Sequence, residues 1–316
     1  MIEYAAVIRE TARKLLQDGT VDVFIAYKKG SVPMTNEPVL ISDADKAEIL
    51  YWDSTCGMNL CNYLTKRTDK IGIIANGCNS RNIVTHITEN QIRRDQLYIV
   101  GIPCTGIIDH RAVQRAVGQK DILDMQEAAE KFTVRGEGFE ETFDKKDFLR
   151  SNCTVCTHRN PVIYDEMAAD PVTEQDGTDA YVDVKRIEGL EPEKKWGFFT
   201  RMIERCIRCY GCRNACPLCY CPTCFVDESQ PQWVGKSIDP VDTMTFHILR
   251  AYHCAGRCTD CGACEGVCPV GIPMRQFTKK LNKDALELFS WEAGLDPDRR
   301  PPLDLYRPDD YNDFIK

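Results

Sequence analysis

The run Cys206-x-x-Cys209-x-x-Cys212-x-x-x-Cys216-Pro217 recurs as Cys258-x-x-Cys261-x-x-Cys264-x-x-x-Cys268-Pro269. No other feature restricts the fold so strongly. Three thiols spaced two residues apart need a tight loop whose sulfurs converge. A fourth, set before a proline, is carried away on the next turn. The 316-residue chain holds 18 cysteines. In a short secreted protein such a number would mean disulfides. Here the N-terminus MIEYAAVIRE has an early Glu3 and no apolar stretch leading to a small-residue cleavage site, so it does not read as a signal peptide. Cytoplasmic thiols stay reduced, and a chain of this length can bury its own core, so metal ligation is the better expectation.

The spacing selects the metal. Zinc sites use two cysteine pairs separated by a longer gap. The repeated run instead matches the bacterial-type ferredoxin pattern, whose fourth cysteine ligates the other cluster of the pair. Cluster one is assigned to Cys206, Cys209, Cys212 and Cys268, and cluster two to Cys258, Cys261, Cys264 and Cys216.

The rest of the chain has a different pattern. Ala5, Ile8, Ala12, Leu15 and Leu16 are spaced as a helix that Gly19 can end. VDVFIAY (21–27), IGIIANG (71–77) and LYIVGIP (97–103) read as strands, and SRNIVTHITENQI as a helix after the second. Alternation of this kind predicts a small α/β layer with a partly parallel sheet, whose ligands gather at the carboxyl ends of the strands. Cys78 and Cys104 fall at two such ends, and Cys153-x-x-Cys156 lies downstream. The residues alone leave an iron–sulfur site, a zinc site and buried thiols all open for this quartet. Segment 121–205 is polar and gives few element signals. DPVDTMTFHILRAY (239–252) predicts a helix capped by Asp239, with Val241, Met244, Ile248, Leu249 and Tyr252 on its apolar face. A second helix after Pro273 is expected to pack through Met274, Phe277, Leu281, Ala285 and Leu288. The Pro- and Asp-rich tail after Ser290 is expected to be extended, an arm along a partner.

These signals divide the chain into an α/β domain over 1–195, a dicluster ferredoxin-like domain over 196–289 and a tail over 290–316. The net charge of −8 argues against a nucleic-acid surface, and Arg93-Arg94 and Lys194-Lys195 read as solvated spots. No apolar run approaches the length of a membrane span. A cytoplasmic protein is expected.

The segments YAAVIRETARKLLQDGTVDVFIAY, KIGIIANGCNS, LYIVGIPC and SNCTVCTHRNPVIYDE resemble the coenzyme F-420 hydrogenase/dehydrogenase beta-subunit family. FHILRAYHCAGRCTDCGACEGVCPVGIP resembles dicluster modules of heterodisulfide-reductase-type complexes. The first resemblance implies a third 4Fe-4S cluster on Cys78, Cys104, Cys153 and Cys156. It also raises FAD, yet flavin-binding members carry a Gly-rich stretch ahead of the first helix, and here no glycine precedes Gly19.

Six cysteines are left over. Cys219, Cys221 and Cys224, with Cys254, form a compact set that either holds a fourth cluster or packs as small hydrophobes. Cys56 and Cys61 are expected to be buried. His158, two residues after Cys156, reads as a neighbour of the metal site. The leading expectation is an iron–sulfur electron-transfer subunit working with other redox subunits of a hydrogenase-, formate-dehydrogenase- or heterodisulfide-reductase-like complex. The alternative is a flavin-containing subunit that exchanges electrons with a soluble two-electron carrier such as a deazaflavin.

Overall fold

In the computed structural model, which describes residues 4–302, the N-terminal half is organised around one mixed sheet. Helix α1 (Tyr4–Gln17) precedes strand β1 (Val23–Lys29), which pairs antiparallel with β2 (Asn36–Ile41) and β3 (Leu50–Tyr51). On the edge away from β2, where β3 also pairs, β1 runs parallel to β4 (Ile71–Ala75), and β5 (Leu97–Gly101) continues the parallel order. Strand β4 is buried along its whole length, as its unbroken apolar sequence requires in a parallel sheet covered on both faces.

Register places the chemistry. Ile71 pairs with Leu97 and Ala75 with Gly101, so β4 and β5 end level. Ile102 N donates to Ala75 O at 2.9 Å just beyond them. Cys78 and Cys104 therefore leave the sheet at one edge. Cys78 does so on the first turn of helix α2 (Gly77–Thr88), whose cap Asn76 accepts from Asn79 N at 3.1 Å. That helix starts three residues before the sequence pattern placed it. Polar caps are invisible to an apolar period, and here the cap decides the boundary.

Past helix α3 (His110–Ala116), the polar stretch that gave few signals holds a three-stranded antiparallel meander: β6 (Ile122–Ala128), β7 (Lys131–Gly136) and β8 (Phe139–Asp144). Its apolar side packs Phe132, Phe143 and Phe148 together. A short helix α4 (Ser151–Thr154) carries Cys153, and β9 (Glu166–Met167) closes the parallel edge beside β5.

Helices α5 (Val182–Glu188) and α6 (Pro192–Glu204) lead into the cysteine-rich part, and α5 packs on α10. There two four-residue helices, α7 (Gly211–Asn214) and α9 (Ala263–Gly266), touch each other between helices α8 (Pro240–His253) and α10 (Arg275–Phe289).

The expected packing face fails on α8 and holds only in part on α10. On α8 the buried residues are Thr243, Phe246, His247, Arg250 and Ala251, whereas Val241 is 70% and Tyr252 62% exposed. At α10 Met274 and Ala285 are buried and Phe277 packs on the core as expected, but Arg275, Thr278, Lys279 and Lys283 are buried as well, and Leu288 is 73% exposed. The polar faces are inside because partners wait there. Arg275 pairs with both Asp183 and Asp260, and Lys279 pairs with Asp260.

The segment after α10 turns back onto the first domain. Trp291 Nε1 donates to Gly256 O at 2.6 Å, and Arg81 of α2 donates to Ala293 O at 2.7 Å. This part of the tail is packed, and the remainder of the expected arm, 303–316, lies outside the described residues. No helix among the described residues is long and apolar enough to cross a membrane.

Candidate metal centres

The two repeated cysteine runs fold alike. In each, the third and fifth residues take a left-handed backbone: Arg208 (φ 50°) and Tyr210 (φ 59°) in one, Asp260 (φ 55°) and Gly262 (φ 71°) in the other. Non-glycine residues in this region are strained by about 1–3 kcal/mol each, a cost usually met at ligand clamps. The turns aim backbone N–H groups at sulfur. Arg208 N donates to Cys206 Sγ at 3.4 Å, and Asp260 N donates to Cys258 Sγ at 3.4 Å. Ile272 N donates to Cys268 Sγ at 3.3 Å.

The sulfurs group by set. Cys206 and Cys212 each feel the charge of Cys268, the distant fourth member of their run's partner. Cys258 and Cys264 each feel Cys216 in the same reciprocal way, and all three line one small cavity with Cys261. Burial pushes the Cys258 thiol up to about 12 and Cys212 to about 11. A thiol so disfavoured as a free anion needs a metal to hold its thiolate form. The donor atoms that converge are all thiols, the soft ligands of zinc and iron–sulfur sites.

The third quartet comes together from three separate segments. Cys78, Cys104, Cys153 and Cys156 line one cavity of about 80 Å³, several times the room a single water needs. Ile107 N donates to Cys153 Sγ at 3.3 Å. Burial pushes Cys153 up to about 12 and Cys104 up to about 11. Cys78 is held well above the usual thiol range, by burial first and then by Cys261 of the second run. Cys258 and Cys261 border this same cavity, so the two quartets share a wall. Gly262 makes the approach possible, because a side chain there would collide with Asn152, the neighbour of Cys153.

His158 faces the site through its backbone: Cys156 Sγ donates to His158 O at 3.4 Å, while the ring meets Arg81 and Thr157. Of the surplus cysteines, Cys219 and Cys254 lie with Cys216, the three sulfurs all within 4.8 Å of one another. Thiol hydrogen bonds from Cys219 and Cys254 hold the Cys216 thiol well below its usual range. Cys221 is exposed and Cys224 packs in the apolar core with Phe246. The structure thus does not gather Cys219, Cys221, Cys224 and Cys254. Cys56 and Cys61 are buried in the core of the first sheet, where Cys61 Sγ donates to Asn79 O at 3.3 Å.

A second cavity, of about 620 Å³, opens at the same end of the sheet. It is bordered by Tyr4 of α1, Tyr51, Trp52 and Cys104, with buried Lys145 bonded to Glu127 and to Ser54 Oγ at 3.0 Å. Sequence inspection missed it, since its walls come from segments with no common motif. It also missed His247 and Arg250, which the period of α8 assigned to the solvent side.

Residues 202–272 match the 4Fe-4S dicluster domain family. The chain is similar to the F420-dependent formate dehydrogenase subunit beta of Methanocaldococcus jannaschii, at 24% identity over 92% of this chain and 91% of the relative. A second relative is the F420-dependent formate dehydrogenase 1 subunit beta of Methanococcus maripaludis, at 24% identity over 92% and 90%. Among solved structures, a chain of the F420-reducing NiFe hydrogenase complex from Methanosarcina barkeri aligns with 49% of this chain and 59% of its own length, at 18% identity and a TM-score of 0.38.

Proposed function

We propose that this chain, a relative of F420-dependent formate dehydrogenase beta subunits that carries a 4Fe-4S dicluster domain, works as an iron–sulfur electron-transfer subunit with three clusters in series. Cys78, Cys104, Cys153 and Cys156 would hold the first, Cys258, Cys261, Cys264 and Cys216 the second, and Cys206, Cys209, Cys212 and Cys268 the third. The observation that carries the reading is the shared wall. The cavity at the sheet edge is bordered by Cys258 and Cys261, which belong to the next quartet. A bound 4Fe-4S cluster supplies one-electron transfer.

The chain's own residues set the conditions for that transfer. Backbone N–H groups of Ile107, Arg208, Asp260 and Ile272 donate to ligand sulfurs, which favours negative charge on the site. Phe246, Ile272 and Met274 exclude water from the paired runs. The domains are fixed to one another around this path, with His86 Nε2 donating to Pro217 O at 2.8 Å and Asn62 Nδ2 to Ala215 O at 3.0 Å. Partner redox subunits of a formate-dehydrogenase- or hydrogenase-like complex would supply the donor and acceptor.

The cavity beside Cys104 supports a second reading, in which a flavin sits there and exchanges electrons with a deazaflavin coenzyme. Its 620 Å³ is within the usual range for cofactor sites. Iron, sulfide, zinc and flavin analysis of the anaerobically purified chain tests both readings. Three clusters require about 12 irons and as many sulfides per chain. About eight irons would remove the sheet-edge cluster, and zinc without sulfide would remove all three. Stoichiometric flavin would favour the second reading.

A further inference from the structure

Helix α8 turns a polar face toward the cysteines. His247, Arg250 and Cys254 stand three and four residues apart, which puts them on one side of the helix. His247 Nε2 lies 3.3 Å from Cys206 Sγ at one end, and Cys254 lies beside Cys216 at the other. Arg250 sits between them, 5% exposed. Its Nη2 donates to Cys212 O at 3.1 Å, on the first run. Its side chain also borders the small cavity of Cys216, Cys258, Cys261 and Cys264, on the second.

Arg250 is a buried cation without a carboxylate. Arg275 and Lys145, also buried, pair with Asp260 and Glu127. Among the described residues no acidic side chain forms an ion pair with Arg250, and its Nε has no hydrogen-bond partner. A buried charge left alone is strongly disfavoured. The groups placed to compensate it are the sulfurs of Cys212, Cys216, Cys254 and Cys264. Cys212 and Cys216 belong to the first run and Cys264 to the second, with Cys254 beside Cys216. A cluster with four thiolate ligands is an anion, and it gains one further negative charge on reduction.

We propose that Arg250 is the common counter-cation of the two dicluster-domain clusters, stabilising the reduced form of each. The inference rests on the cluster reading given above. A positive charge beside both sites raises both reduction potentials, so its removal must lower them.

The test uses the full-length chain, purified anaerobically, with iron and sulfide measured before an EPR-monitored redox titration. Wild-type protein without iron would overturn the cluster reading itself, independently of any potential. Arg250→Gln keeps a donor for Cys212 O and removes the charge, whereas Arg250→Lys keeps the charge. Loss of the charge is expected to lower the reduced-to-oxidised ratio of each of the two clusters about tenfold at a fixed potential, or about 59 mV for a one-electron couple; a shift confined to one cluster overturns the shared role. Arg250→Lys is expected to stay nearer wild type than Arg250→Gln. Iron lost from Arg250→Gln and kept by Arg250→Lys also supports the charge role. Unchanged potentials in Arg250→Gln overturn it. So does iron loss from Arg250→Lys, alone or with the glutamine variant, or a lysine variant with potentials as low as the glutamine one.

Discussion

Gly77→Ala is the sharpest test of the sheet-edge site. Gly77 opens α2 immediately before Cys78. A Cβ there would overlap His158 O and come within 3.0 Å of the His158 carbonyl carbon and 3.1 Å of that of Arg159. These are main-chain atoms, so no side-chain rotation relieves the clash. Either α2 or the 156–159 segment must move. Overpacking of this kind costs about 1–3 kcal/mol. Alanine's helix preference over glycine returns up to about 1 kcal/mol. The net loss is about 1–2 kcal/mol, a few degrees of melting temperature for a chain of this size. The geometric consequence is larger than the thermal one, because the displaced segment carries Cys156, whose sulfur bonds His158 O at 3.4 Å. Cys78 and Cys156 are driven apart, and the protein is expected to fall from about 12 irons to about eight, with the dicluster signals retained. Gly189→Ala is the control, since its nearest neighbour, Lys185 O, would lie 3.5 Å from the new carbon. A Gly77→Ala protein with unchanged iron content and unchanged melting would refute the reasoning.

Three further outcomes are expected. Arg275→Met strands Glu265 beside an apolar stem and leaves Asp183 and Asp260 to Lys279 alone, and should cost about 3–5 kcal/mol in chemical denaturation; a loss below about 1 kcal/mol would mean the network is dispensable. Burial, reinforced by Arg250 and Arg208, holds His247 down to about 4. The folded ring is thus harder to protonate than the unfolded one, so stability is intact above about pH 6.5 and falls toward pH 4 by at most about 1.4 kcal/mol per unit. His247→Gln should flatten that slope, and an unchanged slope would assign the acid sensitivity elsewhere. Cys221→Ser, at an exposed position outside every cysteine group, should retain full iron, whereas Cys261→Ser should not; iron loss from the Cys221 variant would restore a ligand role for that residue.

What could be read in advance followed from how local each signal was. The repeated runs are local, so spacing alone carried the expectation that Cys216 joins the second set and Cys268 the first. The strands later found at 23–29, 71–75 and 97–101 were legible because a buried parallel strand is a short unbroken apolar run. The meander at 122–144 was not, because one face of each strand is wet and β8 reads FEETFD. The predicted face of α8 failed, and that of α10 was incomplete, for a more specific reason. Apolar periodicity assumes that the interior is apolar, and α8 and α10 face thiols and carboxylates instead. His247, Arg250, Arg275 and Lys279 were misplaced by the same assumption. The left-handed pair in each cysteine loop was also hidden, since Arg208, Tyr210 and Asp260 are not residues that announce such a backbone.

The return of Trp291–Ala293 onto α2 has a consequence for how the protein is made. The cavity of Cys78, Cys104, Cys153 and Cys156 draws its outer wall from Cys258, Trp291, Glu292 and Ala293. During synthesis the sheet can emerge and fold early, but this pocket stays open to solvent until residues 291–293 have left the ribosome. Cofactor insertion at the Cys78 site is therefore tied to the emergence of this much later segment, and a chain truncated before residue 291 would leave those cysteines unsealed.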